Sequence, residues 1–172
     1  MQAQGKKSFV LVEKLFEDYE LIYPYYRLRE AGAETRLVGP EEGKAYQGKS
    51  GTTATSGLAA RDVDPWDCDA LVIPGGYAPD HMRRHKSMVD LVRGVHDQGK
   101  VVAAICHAGW MLASAGIVQG RHLTSFFAIK DDLVHAGANW EDSEAVTDGN
   151  LVTSRKPDDL PVFMRSILKL LA

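Results

Sequence analysis

The sequence predicts an α/β fold in which a mainly parallel sheet lies between layers of helices. Three short segments, Phe9–Val12, Ala70–Ile73 and Val101–Ile105, are apolar at every position, which is typical of strands that are buried on both faces. Helical patterns separate these segments through most of the chain. Strands that alternate with helices form parallel sheets with right-handed crossovers, and ligand sites in such sheets lie beyond the carboxyl ends of the strands.

In the first half of the chain, the strand at Phe9–Val12 is followed by a helical pattern that starts at Asp18. Pro24 falls inside this pattern, so either the helix kinks there or its regular part starts near Pro24. Glu34–Val38 is predicted to form the second strand. Lys49-Ser50-Gly51 has the composition of a hairpin connection.

The second half contains the remaining predicted helices and strands. They are helices over Met88–Gly99, Trp110–Ala115, Ile129–Ala136 and from Pro157 to Leu171, and strands over Ala145–Thr147 and Leu151–Ser154, joined at Asp148-Gly149-Asn150.

Composition and charge narrow the class of protein. The chain has 172 residues with 45% hydrophobic and 25% charged residues, and no linker divides it, so we expect a single domain over residues 1–172. The net charge of −3, without a run of one sign, argues against a nucleic-acid partner and against an anionic membrane surface. No signal peptide or membrane span is evident, which predicts a cytoplasmic protein. The two cysteines, Cys68 and Cys106, are expected to be free thiols, and no metal site or cofactor is predicted.

Three groups of residues at predicted strand ends could carry chemistry. Cys106-His107 follows a buried strand directly; a cysteine on such a turn projects towards the free N–H groups of the next helix, which stabilise a thiolate and an oxyanion. A buried structural cysteine is an equally acceptable interpretation. Gly75-Gly76 lets the backbone approach a ligand closely, although a simple tight turn explains it as well. The segment Glu17–Glu20 could supply a carboxyl group, or could only complement the helix dipole.

Several motifs in the same order resemble the ThiJ/PfpI superfamily, specifically its PfpI-like intracellular cysteine protease and protein deglycase branch. The matching segments, which run through nearly the whole chain, are Phe16–Pro24, Asp69–Asp80, Ala104–His107, Ile129–Asp132 and Thr153–Arg155. The resemblance implies a flavodoxin-like three-layer sandwich with a central, mainly parallel sheet, similar to class I glutamine amidotransferases.

The resemblance also implies a role for each candidate residue. Cys106 would be the nucleophile in a strained backbone conformation, and Glu20 would contact it. Gly76 and His107 would donate N–H groups to an oxyanion, next to Gly75. A protonated Glu20 with a raised pKa that donates a hydrogen bond to the sulfur would give Cys106 a lowered pKa.

A further acid is expected from a neighbouring subunit, just after the Pro-Gly-Gly turn. That position is Asp80, one methylene shorter than the Glu usual in the family. The Gly-Pro pair that commonly follows Cys-His is replaced by Ala108-Gly109. An acid shared between subunits implies a homodimer or a higher homo-oligomer such as a trimer-based hexamer.

The implied function is a cysteine-dependent hydrolase with a role in stress response. It would act as a peptidase, or as a deglycase or glyoxalase on methylglyoxal and glyoxal adducts, so the substrate would be a small aldehyde, a glycated protein or a peptide. The alternative is a redox-sensing stress protein or holdase chaperone in which Cys106 is oxidised without efficient turnover. A third hypothesis is a binding module with a vestigial site.

Overall fold

A computed structural model describes residues 2–172, which form eleven strands and six α-helices. The strands are β1 (Lys7–Leu11), β2 (Glu34–Gly39), β3 (Ala45–Gln47), β4 (Thr53–Thr55), β5 (Leu58–Ala59), β6 (Ala70–Ile73), β7 (Val101–Ile105), β8 (His122–Leu123), β9 (Asn139–Trp140), β10 (Ala145–Asp148) and β11 (Leu151–Ser154). The α-helices are α1 (Asp18–Glu30), α2 (Ala78–Met82), α3 (Lys86–Asp97), α4 (Gly109–Ser114), α5 (Lys130–His135) and α6 (Leu160–Leu171).

Seven of these strands form the central sheet, in the order β10-β11-β7-β6-β1-β2-β5. Every pairing in this sheet is parallel except that of β10 with β11. The predicted parallel α/β sheet and the flavodoxin-like fold are therefore confirmed. Because β1, β6 and β7 are neighbours with the same direction, the loops after their carboxyl ends meet at one edge of the sheet.

The sheet lies between two layers of helices. Helix α1 packs against α6, and α3 packs against α4. All residues of β6 and β7 are buried, because the helices cover both faces of the sheet, and apolar strands of this kind are stable only in that environment. The rigid core thus fixes the positions at which β6 and β7 end.

Two details differ from the sequence-based expectations. Helix α1 starts at Asp18 and continues through Pro24, because the side chain of Glu17 accepts a hydrogen bond from the backbone N–H of Glu20 at 3.0 Å and so caps the helix before the proline. The two-residue strands β5, β8 and β9 were not predicted, since two residues are too few to show a periodic pattern. The predicted hairpin around Lys49-Ser50-Gly51 is confirmed as the turn between β3 and β4.

No helix in the described part of the chain is both long enough and apolar enough to cross a membrane.

Candidate active site

Cys106 lies on a sharp turn directly after the buried strand β7. Its φ is 62°, in the left-handed region that a residue with a Cβ atom occupies only when its surroundings enforce it. A short 3₁₀ turn over Cys106–Ala108 leads into α4, and the N–H of Phe126 donates to the carbonyl of Cys106 at 3.2 Å. The side chain is 8% exposed. This arrangement is the strained strand-to-helix turn that the sequence predicted for a nucleophile.

The glycines after β6 allow the chain to pass unusually close to Cys106. A Cβ atom on Gly75 would lie 2.7 Å from the Cβ of Cys106 and 2.6 Å from Oε2 of Glu20. Gly76 has a φ of 74°, and a Cβ there would lie 2.5 Å from the backbone nitrogen of Glu17. A side chain at either position would therefore push the cysteine turn and the start of α1 apart.

Glu20 reaches this point from the first turn of α1. It is fully buried, and its Oε2 accepts a hydrogen bond from the N–H of Gly75 at 2.7 Å. Its Oε1 has no hydrogen-bond partner among residues 2–172, and the polar group that the carboxyl contacts there is the thiol of Cys106. Burial raises the pKa of Glu20 to about 8, so the carboxyl is mainly protonated at neutral pH, as expected from the sequence.

The pKa of the Cys106 thiol is raised in the structure, whereas we expected it to be lowered. Burial raises the pKa of the Cys106 thiol, an ionised Glu20 would raise it further, and the hydrogen bonds from the N–H groups of Gly76 and His107 lower it. Glu20 repels the thiolate only when Glu20 is itself ionised. The pair therefore favours a neutral thiol beside a neutral carboxyl at neutral pH, and the expected low pKa of the free thiol is not found.

His107 is placed to take the proton of this thiol. Its Nδ1 lies 3.2 Å from Sγ of Cys106. Burial, with the positive charge of Lys49, lowers the pKa of His107, so the imidazole is neutral and can accept a proton. Its ring stacks on Phe126, with centroids 5.0 Å apart, and meets the edge of Trp110 at 5.3 Å. These contacts orient Nδ1 towards the sulfur.

Asp80 does not join this group within the chain. It lies on α2, its carboxylate pairs with Arg84, and 49% of its side chain is exposed. The prediction that Asp80 completes the site of a neighbouring subunit therefore stays a prediction. Gly75 lies behind the cavity, because its N–H is bound to Glu20.

A cavity of about 440 Å³ opens over the sulfur. The residues that line it are Glu17, Glu20, Lys49, Gly76, Tyr77, Cys106, His107, Phe126, Lys156 and Pro157. None of Lys49, Tyr77, Phe126 and Lys156 was predicted as a site residue: Tyr77 lies in a matching segment and Lys49 in the predicted hairpin, whereas Phe126 and Lys156 belong to no motif. Among residues 2–172, no group of three or more His, Cys, Asp or Glu side chains is arranged to hold a metal ion.

The fold and this site define an α/β protein with a buried cysteine on a strand-to-helix turn. Residues 6–170 match the model of the DJ-1/PfpI family, and the chain belongs to this family.

Three curated relatives are similar to nearly the whole chain. Deglycase PfpI of Pyrococcus furiosus is 46% identical over 165 residues, which are 96% of this chain and 99% of the relative. The putative cysteine protease YraA of Bacillus subtilis is 40% identical over 167 residues, 97% of this chain and 99% of the relative. General stress protein 18 of Bacillus subtilis is 40% identical over 169 residues, 97% of this chain and 98% of the relative. The predicted class, a PfpI-type cysteine hydrolase, is confirmed.

Two solved structures are similar to the fold described here. A two-domain protein from Anabaena variabilis, with DJ-1/ThiJ/PfpI-like and ferritin-like domains, has a TM-score of 0.95 and 40% identity; the match covers 96% of this chain and 48% of that one. DJ-1beta of Drosophila melanogaster has a TM-score of 0.90 and 31% identity, over 97% of this chain and 90% of that one.

Proposed function

We propose that this protein is a deglycase that uses Cys106 to release small carbonyl compounds from the amines they have modified. The observation that carries the proposal is the Cys106 thiol 3.2 Å from a neutral imidazole, inside a cavity of about 440 Å³. A cavity of this volume lies within the range of small-molecule sites. It suits a modified side chain better than a long stretch of peptide.

The first step is attack of sulfur on the electrophilic carbon of the adduct. As the S–C bond forms, Nδ1 of His107 takes the thiol proton, so no free thiolate is needed beforehand. The N–H groups of Gly76 and His107, which flank the sulfur, are the nearest donors for the developing oxyanion. Protonated Glu20 adds no second negative charge next to it.

The second step releases the amine. At the carbinolamine carbon of an aldehyde adduct, the new S–C bond replaces the C–N bond as the amine takes the proton from His107. The hydroxyl on that carbon then becomes a carbonyl, the S–C bond breaks and the sulfur regains a proton, which releases the carbonyl compound. With an amide, the attack gives an oxyanion that expels the amine and leaves a thioester for water to hydrolyse, so a peptidase activity is the second candidate, supported by the name of the Bacillus subtilis relative.

The test is turnover of methylglyoxal adducts of N-acetyllysine amide and N-acetylarginine amide, and of a peptide panel, by matched cysteine variants. Cys106→Ser should lower kcat/KM by about 10³-fold or more, because it removes the nucleophile. Cys68→Ala is the control, since Cys68 is buried away from the cavity. Equal turnover by the two variants would refute the proposal, and hydrolysis of peptides alone would replace the deglycase by the peptidase.

We further propose that the protein acts as one ThiJ/PfpI-type domain over residues 1–172, in the cytoplasm. Support comes from the single hydrophobic core and from the free thiols of Cys68 and Cys106, which persist in a reducing compartment. A role in stress response is supported by the name of the stress-protein relative. The absence of a nucleic-acid partner remains a prediction from the net charge.

We also propose a homodimer or a higher homo-oligomer such as a hexamer. The support is an exposed aromatic face on α1, formed by Tyr19, Tyr23 and Tyr26 beside a cleft of about 800 Å³, and the half-exposed Asp80. Exposed aromatic patches are typical of protein interfaces. Sedimentation at micromolar concentration should show the oligomer, and a monomer alone would contradict the proposal.

A further inference from the structure

Two lysines stand on the wall of the Cys106 cavity. Lys49 comes from the turn between β3 and β4, and Lys156 from the loop between β11 and α6. The carboxylate on the same wall, Glu17, is already engaged in capping α1. Because Glu20 is mainly protonated at neutral pH, positive charge predominates on the wall.

The backbone around Lys49 is fastened to the start of α1. Asp18, which is buried, accepts hydrogen bonds from the N–H groups of Ser50 at 2.9 Å and Thr52 at 3.0 Å. The N–H of Lys49 itself donates to the carbonyl of Phe16 at 2.9 Å. Burial alone would raise the pKa of Asp18, but these hydrogen bonds bring it below its ordinary value. Asp18 therefore stays charged and holds the turn in place.

The ammonium group of Lys49 acts on the catalytic residues themselves. Its charge lowers the pKa of both Glu20 and His107. Its Nζ lies 5.5 Å from the ring centroid of Tyr77, another residue of the wall, and it forms no ion pair with any residue of the described chain, 2–172. Lys156 has only a loose partner, since its Nζ is 3.8 Å from Oδ2 of Asp158.

We propose that the substrate of Cys106 carries an anionic group, a carboxylate or a phosphate, which binds between Lys49 and Lys156 while its carbonyl carbon faces the sulfur. This inference rests on the proposed function, which supplies the reaction at Cys106, and it adds the chemical class of the substrate. A neutral aldehyde adduct would leave both ammonium groups without a partner. An anionic substrate would pair with both ammonium groups, and their positive electrostatic potential would also attract it to the cavity.

The test compares two alkylating reagents that differ in charge and are similar in size. Iodoacetate carries a carboxylate and iodoacetamide is neutral, and both react with the same sulfur. The ratio of their rates at Cys106, read by peptide mass spectrometry, cancels any change in the ionisation of the thiol. Dividing by the same ratio for 2-mercaptoethanol, a thiol that carries no other charged group, removes the intrinsic difference between the reagents.

The normalised ratio should exceed one in the unaltered protein and fall by about threefold for each of Lys49→Gln and Lys156→Gln, the factor expected of one charge several ångströms away across solvent. Lys169→Gln, an exposed lysine in the last turn of α6, is the matched control. A ratio for the double variant within about twofold of this control would overturn the proposal, and a larger fall supports it.

Protection of Cys106 from iodoacetamide distinguishes the two anionic groups. If the substrate carries a phosphate, inorganic phosphate should protect more strongly than acetate at equal ionic strength, and if it carries a carboxylate the order should reverse. The proposal is overturned if neither phosphate nor acetate protects Cys106 and the normalised ratio of the double variant equals that of the control. Turnover of methylglyoxal adducts of the amino-acid amides, which carry no anionic group, is measured separately, so failure of the anion site and failure of the proposed deglycase reaction give different results.

Discussion

The buried carboxyl of Glu20 should make the stability of this protein fall as the pH rises. Burial moves its pKa from an ordinary 4.5 to about 8. Between these two values the folded protein keeps a proton that the unfolded chain has lost, so the free energy of unfolding decreases with increasing pH. The full effect on going from below pH 4.5 to above pH 8 is about 5 kcal/mol, at about 1.4 kcal/mol for each pH unit.

Glu20→Gln tests this reasoning because it removes the titrating group and keeps the shape. The glutamine oxygen can still accept the N–H of Gly75, and its NH₂ group can face Cys106. Urea unfolding is measured for both proteins from pH 4.5 to 9. The variant should gain stability relative to the unaltered protein as the pH rises, approaching about 5 kcal/mol at the alkaline end.

The difference between the two proteins cancels the titrating groups that do not interact with Glu20, including Asp18. Glu42→Gln, which alters an exposed carboxylate, controls for the change in net charge and should leave the pH dependence as it is. A difference between Glu20→Gln and the unaltered protein that stays constant over this range, or that favours the unaltered protein more at high pH, would refute the account of Glu20 as a buried acid that holds its proton.

Three further predictions concern the residues around this carboxyl. Because Cys106 has a φ of 62°, Cys106→Gly should be more stable than Cys106→Ala by about 1 kcal/mol in urea unfolding, and the opposite order would exclude backbone strain. His107→Phe keeps the ring contacts but loses Nδ1, so kcat/KM for the methylglyoxal adducts should fall by about a hundredfold; unchanged turnover would exclude His107 as the base. Asp18→Asn should speed hydrogen exchange at the amides of Ser50 and Thr52, since a hydrogen bond to a charged acceptor stabilises by about 1.5–3 kcal/mol, and unchanged exchange would show that Asp18 does not hold the turn.

The sequence was sufficient to place Cys106 on its strand-to-helix turn because the signal was local. A fully apolar strand that is followed directly by Cys-His can be recognised from neighbouring residues alone. The same is true of the Gly-Gly turn after β6. Glu20 was identified through the family resemblance, and its burial follows from α1 lying across the ends of the strands. The mainly parallel direction of the strands also followed from the alternation of apolar strands and helices, but their order in the sheet was not predicted.

What the sequence could not supply depends on contacts between distant segments. Lys49 comes close to Cys106 because hydrogen bonds to Asp18 hold the hairpin in place. In the sequence, Asp18 was only one of several acidic residues that could complement the helix dipole. The pKa of the thiol was predicted in the wrong direction, because the N–H groups and a hydrogen bond from protonated Glu20 were expected to outweigh burial, and burial is the largest effect. Asp80 faces away from the site within one chain, so only the arrangement of subunits can settle its role.

The β3–β4 hairpin forms a small sheet of its own, separate from the central sheet whose strand β7 ends at Cys106. Hydrogen bonds to Asp18 and Phe16 hold its turn against the start of α1. Changes of sequence in this turn can therefore alter the charge at the mouth of the cavity while the backbone of the cysteine turn stays in place. Because Lys49 also acts on the pKa of Glu20 and His107, one short surface loop couples the choice of substrate to the protonation of the site.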